Sequence, residues 1–378
     1  MVKKRGQNEG TIYKRKNGTW AAQVSIQGRR LTKYTKTQSE ARSWLRTTLN
    51  QVDNGITFLG AQMELGKYLE QWLVTVKTSV RPKTYEQYKQ IVTSHIVPIL
   101  GHIKLKDLRP DHIQTLYNTK LKSGTSNRTV IMIHTVLHLT LNQALKMGLI
   151  GRNPSDAVIK PKLVKKEMKT LTDTQVQTLL LAVRGTRHEV LYQLAVTTGM
   201  REGELLGLKW ADLDWVTRQV KVQRQLQWIS GQGLVFSEPK SIAGRRVIVL
   251  GTATIEKLRE HHQRQQWERL AAGDRWVEND LIFPTTIGTP SNWRSLVRSF
   301  KKLLQTSNLP NIRFHDLRHT AATLMLQQGI HPKIVQERLG HSQISLTLNT
   351  YSHVLPNMQE EAAEKLDELI TPAEVLLQ

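Results

Sequence analysis

The stretch IRFHDLRHTAATLMLQQG, residues 312–329, decides how the C-terminal half is read. A helix starts just after His315 and runs toward Gly329, which puts His315 and Arg318 three residues apart on one face. A guanidinium offers paired planar donors, and an imidazole beside it can take or give a proton, so the pair suits an anion. His319 and Ala322 turn toward packing, and His319 reads as structural.

Working outward, LAVTTGMREGELLGLKWADLDW (194–215) breaks an apolar helix at Thr198-Gly199 and starts another at Arg201, with Glu204 three residues on. Arg201 would meet an anion beside the unpaired N–H groups of that helix start, and Glu204 could hold a guanidinium or imidazole in position. Alone, this is more often a surface ion pair. In VFSEPKSIAGRRVIVL (235–250) the ending alternates like a strand and Ser241–Gly244 reads as a turn, which places Lys240 near the tip of a hairpin. A lone hairpin lysine is usually just solvated. In IVQERLGHSQISLTLNTYSHV (334–354) a helix ends at Leu339-Gly340, His341 follows, and Tyr351 comes ten residues later. Tyr351 by itself reads as core or surface.

The whole chain has 378 residues, with 54 Lys and Arg against 31 Asp and Glu, and no cysteine. Such a length suggests two or three domains, and 39% hydrophobic residues give real cores. The missing cysteine excludes disulfide scaffolds, thiol nucleophiles, zinc ribbons and iron–sulfur clusters, and fits a reducing cytoplasm. No apolar run is long enough to span a membrane, and MVKKRGQNEG lacks the apolar stretch of a secretory signal. The charge is uneven. Residues 1–60 hold 12 basic and 3 acidic side chains, residues 61–165 hold 16 and 6, and the remaining 213 hold 26 and 22. The front of the chain is built for a polyanion, most simply nucleic acid, and the nearly balanced back half for chemistry.

Residues 10–36 read as three strands turning at Asn17-Gly18 and Gln27-Gly28, covered by a helix from Ser39 to about Val52 that turns Ala41, Trp44, Leu45 and Leu49 inward. The other sheet face would keep Lys and Arg, with Arg29, Arg30 and Lys33 as DNA contacts, and a sheet of this width fits a major groove. The alternative is a small solvated basic domain. Residues 62–150 read as helices at 62–76, from Pro82 to about His95, from Pro110, and from Asn127 to Met147. Lys83, Lys89 and Arg128 are candidate phosphate contacts among them. Residues 151–170 carry two prolines and five lysines without periodicity, which is a cationic tether, and a new helix starts at Thr172 or Asp173.

Taken in order, Arg201, Lys240, His315-x-x-Arg318, Leu339-Gly340-His341 and Tyr351 resemble the active-site set of the tyrosine recombinases, the integrase family. TGMREGELLGL, HDLRHTAATLML and LGHS…TYSHV look like its best-known blocks, over about residues 171–356. The order of residues 1–170 also resembles phage and conjugative-element integrases of Gram-positive bacteria. One departure is small: His341 and Tyr351 stand one residue further apart than in many members.

The resemblance implies a multidomain α+β chain. Residues 1–58 would be an arm-site DNA-binding domain of three strands and a helix, 62–160 a helical, SAM-like core-binding domain, 161–170 a linker, and 171–378 a mainly helical α+β catalytic domain that closes with its neighbour as a clamp on duplex DNA. It implies Tyr351 as nucleophile, giving a 3′-phosphotyrosyl link and a free 5′-hydroxyl. Arg201 and Arg318 would clamp the nonbridging oxygens, Lys240 would be the general acid, His315 an acid/base, His341 a donor to the phosphate, and Glu204 an orienting group. No cofactor or metal is implied. Partners would be double-stranded attachment sites of core and arm type and a homotetramer on DNA, with an excisionase and a host bending protein as further partners. The setting would be the bacterial cytoplasm and nucleoid, without a membrane. Competing readings are a type IB topoisomerase-like strand cleaver, a non-catalytic DNA-binding regulator, and a metal nuclease built on His315, His319, His341, His353 and Asp316. The tail QEEAAEKLDEL (359–369) reads as an acidic helix with Leu366, Leu369 and Ile370 on one stripe, docking on a neighbouring copy or on its own domain.

Overall fold

A computed structural model describes residues 10–26, 29–53, 62–163, 168–239 and 241–351, together with 363, 364, 366 and 367 of the tail. The chain forms two compact units, Met1–Lys165 and Lys166–Gln378.

The first unit opens with β1 (Thr11–Lys14), β2 (Trp20–Ile26) and β3 (Arg29–Thr35), an antiparallel sheet with β2 in the centre. The β1–β2 turn needs Gly18 at φ +83°, where a side chain would be strained. Helix α1 (Gln38–Asp53) packs Ala41 and Leu45 on Ala22 and Val24 of β2. Register decides which basic residues face away from it. Lys33 pairs with Ala22 and Leu31 with Val24, so Lys33 belongs to the helix-covered side. Lys33 reaches solvent there as an exposed side chain, and the Arg29 side chain lies outside the described residues. Arg30, paired with Ser25, stands on the open face. That face carries Thr11, Tyr13, Gln23, Ser25, Thr32 and Tyr34, with Gln23 donating to the Tyr13 hydroxyl at 3.1 Å and Arg15 lying 4.5 Å over the Tyr34 ring. The expected lysine- and arginine-rich face is thus mainly hydroxyl-bearing, with two tyrosines, one amide and Arg30.

Helices α2 (Leu65–Val76), α3 (Pro82–Ile91), α4 (Val97–Leu100), α5 (Pro110–Lys122) and α6 (Asn127–Lys146) follow. Leu65, Leu69, Ile96, Ile113, Leu116, Tyr117, Ile133, Leu137 and Leu141 are fully buried among them. Each such Leu or Ile contributes about 2 kcal/mol of burial. The helix expected to stop near His95 instead continues to Leu100 through a π turn at Val92–Ile96. Pro98 is the reason: it has no N–H and crowds the carbonyl four residues back, and a wider turn relieves both. Lys83, Lys89 and Arg128 are exposed.

The tether also differs from its local reading. Asn153 is buried and donates to Asn142 at 2.8 Å, while its own oxygen accepts from the N–H of Ser155 at 3.0 Å. Gln114 accepts from the N–H of Ile159 at 2.9 Å, and Asn127 donates to the carbonyl of Lys162 at 2.9 Å. Residues 153–162 are fastened to the helices by partners distant in sequence.

The second unit comprises α7 (Asp173–Ala182), α8 (Glu189–Thr198), α9 (Glu202–Leu206), strands β4 (Leu213–Asp214), β5 (Gln219–Val222), β6 (Gln225–Ile229), β7 (Gly233–Ser237) and β8 (Arg246–Val249), then α10 (Thr252–Ala272), α11 (Trp293–Thr306), α12 (Asp316–Gln327), α13 (Pro332–Leu339) and α14 (Ile344–Tyr351). A core around Tyr192, Phe300, Phe314 and Leu317 joins α8, α11 and the start of α12. Strand β8 pairs with β5 in one sheet, and β7 pairs with β6 in another. The strands on either side of Lys240 are therefore not a hairpin with each other. They are partnered by strands earlier in the chain, and the segment between them crosses from one sheet to the other. Lys240 itself lies outside the described residues, as does most of the proposed tail helix at 359–369. No helix among the described residues is long and apolar enough to cross a membrane.

Candidate active site

Helix α8 ends at Gly199 in the left-handed conformation, φ +63°. The chain then turns so that Arg201 caps α9. A side chain at φ +63° would be strained, and a Cβ on Gly199 would stand 2.4 Å from Leu339 Cδ2, so that the leucine would have to move. Arg201 Nη1 donates to Glu204 Oε1 at 2.7 Å, and the backbone N–H of Arg201 donates to Oε2 at 3.1 Å. Glu204 is 2% exposed. Burial alone would raise its pKa, but the charges of Arg246 and Arg201 and their hydrogen bonds outweigh it and hold the carboxyl below its ordinary value.

His315 caps α12, and Arg318 follows one turn later with only 3% of its surface exposed. Arg318 Nη1 donates to the carbonyl of Gly199 at 2.8 Å, which ties the α12 arginine to the turn that sets Arg201. Asp316 is engaged by Arg313, through Nη2 at 2.7 Å and the backbone N–H at 2.8 Å. His315 keeps an open edge to solvent, while its inner side lies edge-on to His319 with ring centroids 5.5 Å apart. Loss of water around it, and the nearby His319, Arg318 and Arg201, push its pKa down to about 4.

Helix α13 also ends in a left-handed glycine, Gly340 at φ +68°. Its Cβ would meet the Ala243 carbonyl at 2.7 Å and Arg246 Cδ at 3.0 Å. His341 follows. Its carbonyl accepts from Gln336 Nε2 at 2.7 Å, and its Nδ1 pairs with Thr347 Oγ1 at 2.8 Å, with Thr347 fully buried in α14. Burial, then Arg318, Arg201, His319 and Arg246, lower its pKa to about 4. Both imidazoles are therefore neutral at pH 7, inside a shell of arginines.

The fold thus brings Arg201, Glu204, His315, Arg318 and His341 together. It does not describe Lys240, and Tyr351 is described only as the last backbone position of α14. Arg29, Arg30, Lys33, Lys83, Lys89 and Arg128 belong to the first unit. Four residues that sequence reading passed over or demoted support the site: Arg246, Gln336, Thr347 and His319. For Arg246 a signal existed. It shares the alternation of Ile248 and Leu250, both buried, so a strand reading already pointed it inward. Among the described residues, no three His, Asp or Glu side chains are placed to hold a metal ion.

Residues 169–358 match the family model described as the phage integrase family, and residues 64–121 the one described as the phage integrase N-terminal SAM-like domain. The chain belongs to the phage integrase family. It is 32% identical to a tyrosine recombinase XerC-like protein of Caldanaerobacter subterraneus subsp. tengcongensis, over 89% of this chain and 91% of that one. It is 28% identical to the ICEBs1 integrase of Bacillus subtilis, over 79% of this chain and 81% of the other. Among solved structures, the Tn1549 transposon integrase in complex with a circular intermediate DNA superposes with a TM-score of 0.68 at 22% identity, covering 80% of this chain and 99% of that one. A lambda integrase tetramer bound to a Holliday junction gives a TM-score of 0.57 at 19% identity, over 92% and 96%. These two share the fold with this member of the family.

Proposed function

We propose that this chain is a site-specific recombinase that cuts and rejoins DNA through a 3′-phosphotyrosyl intermediate, and so integrates and excises a phage or other mobile element. The observation that carries the reading is the meeting of Arg201 and Arg318, 117 positions apart in sequence, at one turn beside two neutral histidines. Two guanidiniums provide paired donors for the nonbridging oxygens of one phosphodiester, and they act best where water is excluded and their geometry is fixed beforehand. Arg318, buried and anchored on a carbonyl, fits that requirement.

In this reading Tyr351 attacks phosphorus. The P–O bond to the 5′ oxygen breaks, and Lys240 gives that oxygen its proton. His315, neutral at pH 7, takes the proton of the attacking tyrosine, and His341 donates a hydrogen bond to a nonbridging oxygen. Glu204 orients Arg201. The phosphotyrosine conserves the energy of the broken bond, so the 5′-hydroxyl of another strand can reverse the step without ATP. The arginines, the lysine and the histidines supply the stabilisation, with no cofactor in the scheme.

The same reading assigns residues 1–58 to arm-site DNA, 62–160 to core-site DNA, 161–170 to a linker and 171–378 to catalysis. The open face of the β1–β3 sheet, with Arg30, Gln23, Thr32 and two tyrosines, has the donors and acceptors that base edges require. Lys83, Lys89 and Arg128 contact phosphates. The active assembly is a homotetramer holding two attachment sites, with an excisionase and a host bending protein as accessory partners, in the bacterial cytoplasm. The test is a nicked duplex carrying the element's attachment site, incubated in EDTA with wild type and with Tyr351→Phe. A covalent adduct formed by wild type and lost in the variant is expected. No adduct in EDTA, with cleavage restored by magnesium, would replace this reading with a metal nuclease. Binding without cleavage would leave a regulator.

A further inference from the structure

Arg246 stands outside the residue set that the sequence points to, yet three segments of the site converge on it. It comes from β8, paired with Val222 of β5, and its side chain is 6% exposed. Nη2 donates to Glu204 Oε2 at 2.9 Å, Nε to the carbonyl of Arg338 at 2.6 Å, and Nη1 to the carbonyl of Gly244 at 3.1 Å. The first partner is the carboxylate that also grips Arg201. The second lies three residues before His341, and the third lies four residues after Lys240 in sequence. The Gly340 turn closes directly on the Arg246 stem.

Charge shows what such a residue does. Glu204 is buried between two guanidiniums, and each of its oxygens accepts from one of them. Two cations and one carboxylate leave the cluster with a surplus positive charge. Without Arg246 the cluster is neutral, because the whole charge of Glu204 then falls on Arg201. An anion approaching Arg201 would meet an ion pair instead of a cation, and the difference is large where water is excluded.

We propose that Arg246 is a positioning residue for strand cleavage: by taking up the charge of Glu204 it leaves Arg201 available to the scissile phosphate, and by its two carbonyl bonds it fixes the backbone ahead of His341 and behind Lys240. The proposal rests on the recombinase reading above. Arg338 extends the same arrangement, since its guanidinium donates to the carbonyls of Val249 and Thr197 and so ties the end of α13 to β8 and to the end of α8.

The experiment uses the full chain and the nicked attachment-site duplex, with Arg246→Met, Arg246→Lys and the double variant Arg246→Met with Glu204→Gln. Arg246→Met should slow adduct formation about 100-fold while changing duplex affinity less than about threefold. The double variant should form adduct about tenfold faster than Arg246→Met alone, because a neutral amide no longer cancels Arg201. If Arg246→Met is too unstable to assay, Arg246→Lys decides. It keeps the charge and loses the fork, and should cleave about tenfold below wild type with unchanged binding. A wild-type rate in Arg246→Met or Arg246→Lys would overturn the proposal, and so would equal rates in Arg246→Met and the double variant. An NMR titration of His341 supplies a readout that needs no cleavage: removing Arg246 should raise its pKa. An unmoved His341 counts against the proposal. An absent adduct in wild type counts against the recombinase reading instead.

Discussion

Both units expose cations, but only the second sets arginines deep inside its fold at the candidate site. In the first, Arg30, Lys33, Lys83, Lys89 and Arg128 are exposed. In the second, Arg318 is 3% exposed and the side chain of Arg246 6%, each held by a carbonyl, with Glu204 between Arg201 and Arg246. An exposed cation attracts a polyanion from any direction and is screened by salt, so it contributes affinity. A buried cation costs desolvation and is kept only where its geometry is fixed, so it contributes transition-state stabilisation at one place. The net positive charge lies mainly in residues 1–165, with 28 basic against 9 acidic side chains, whereas residues 166–378 hold 26 against 22 and bury Arg318 and Arg246 among them at a cost in desolvation.

Arg318→Ala tests the sharper side of this contrast and should have the largest effect. Adduct formation should fall about 1,000-fold, with duplex affinity nearly unchanged if, as proposed, the first unit carries most of the binding. A variant that loses affinity in proportion to rate would show that the two kinds of cation are not separate.

Gly199→Ala should come next. An alanine at φ +63° is strained, and its Cβ meets Leu339, so the second unit should lose about 2–4 kcal/mol in denaturant titration. The chemistry should suffer as well, because the Gly199 carbonyl anchors Arg318. Wild-type stability would mean that the turn repacks freely and that the buried arginine is not held rigidly by it.

These effects also separate what the sequence could show from what it could not. The Gly199 and Gly340 turns are legible because a glycine after an apolar helix is a local stop, and each is followed within two residues by a site residue. The partner exchange of β7 and β8 is not. Alternation marks both as strands, but their partners are β5 and β6, earlier in the chain, and nothing local to residues 235–250 shows that. Arg246 was missed for the same reason, since its partners come from α9, α13 and the turn before β8. The N-terminal sheet differs from its expectation for another reason. Lys33 shares the parity of Leu31, so period two sets it on the helix side, and a basic composition does not decide which face a residue takes. Lys240 and the Tyr351 side chain rest on the sequence pattern.

Acid should act on the second unit through its neutral histidines. His261 is 4% exposed, its Nε2 donates to the carbonyl of Ile282 at 2.7 Å, and its Nδ1 accepts from Arg264 at 2.9 Å. Burial and the charges of Arg264 and Arg187 lower its pKa to about 4, against the opposing pull of the Ile282 bond and Glu268. The unfolded chain binds the proton near pH 6.5 and the folded one only near 4. Stability is therefore full above about 6.5 and falls as pH drops toward 4, by about 3 kcal/mol for this one group. Denaturant titrations at pH 7.5 and 4.5 should show the loss, and His261→Gln should reduce the slope by about one proton. A pH-independent second unit would mean that the histidine is charged in the fold.

The smallest expected effect tests the exposed side. Arg30 and Lys33 are three residues apart and similar in charge, but the register puts them on opposite faces of the sheet. If the open face enters a groove, Arg30→Ala should relax preference among arm-site sequences by about 1–3 kcal/mol at the base pair it reads. Lys33→Ala, on the helix side, should weaken every sequence alike by a few-fold and make the dependence of log affinity on log salt about one unit shallower. Binding assays on two arm-site variants at three salt concentrations separate these outcomes. The reverse result, with Lys33 setting preference and Arg30 only the salt slope, would mean that the helix side of the sheet meets DNA. The hydroxyl-rich open face would then need another role.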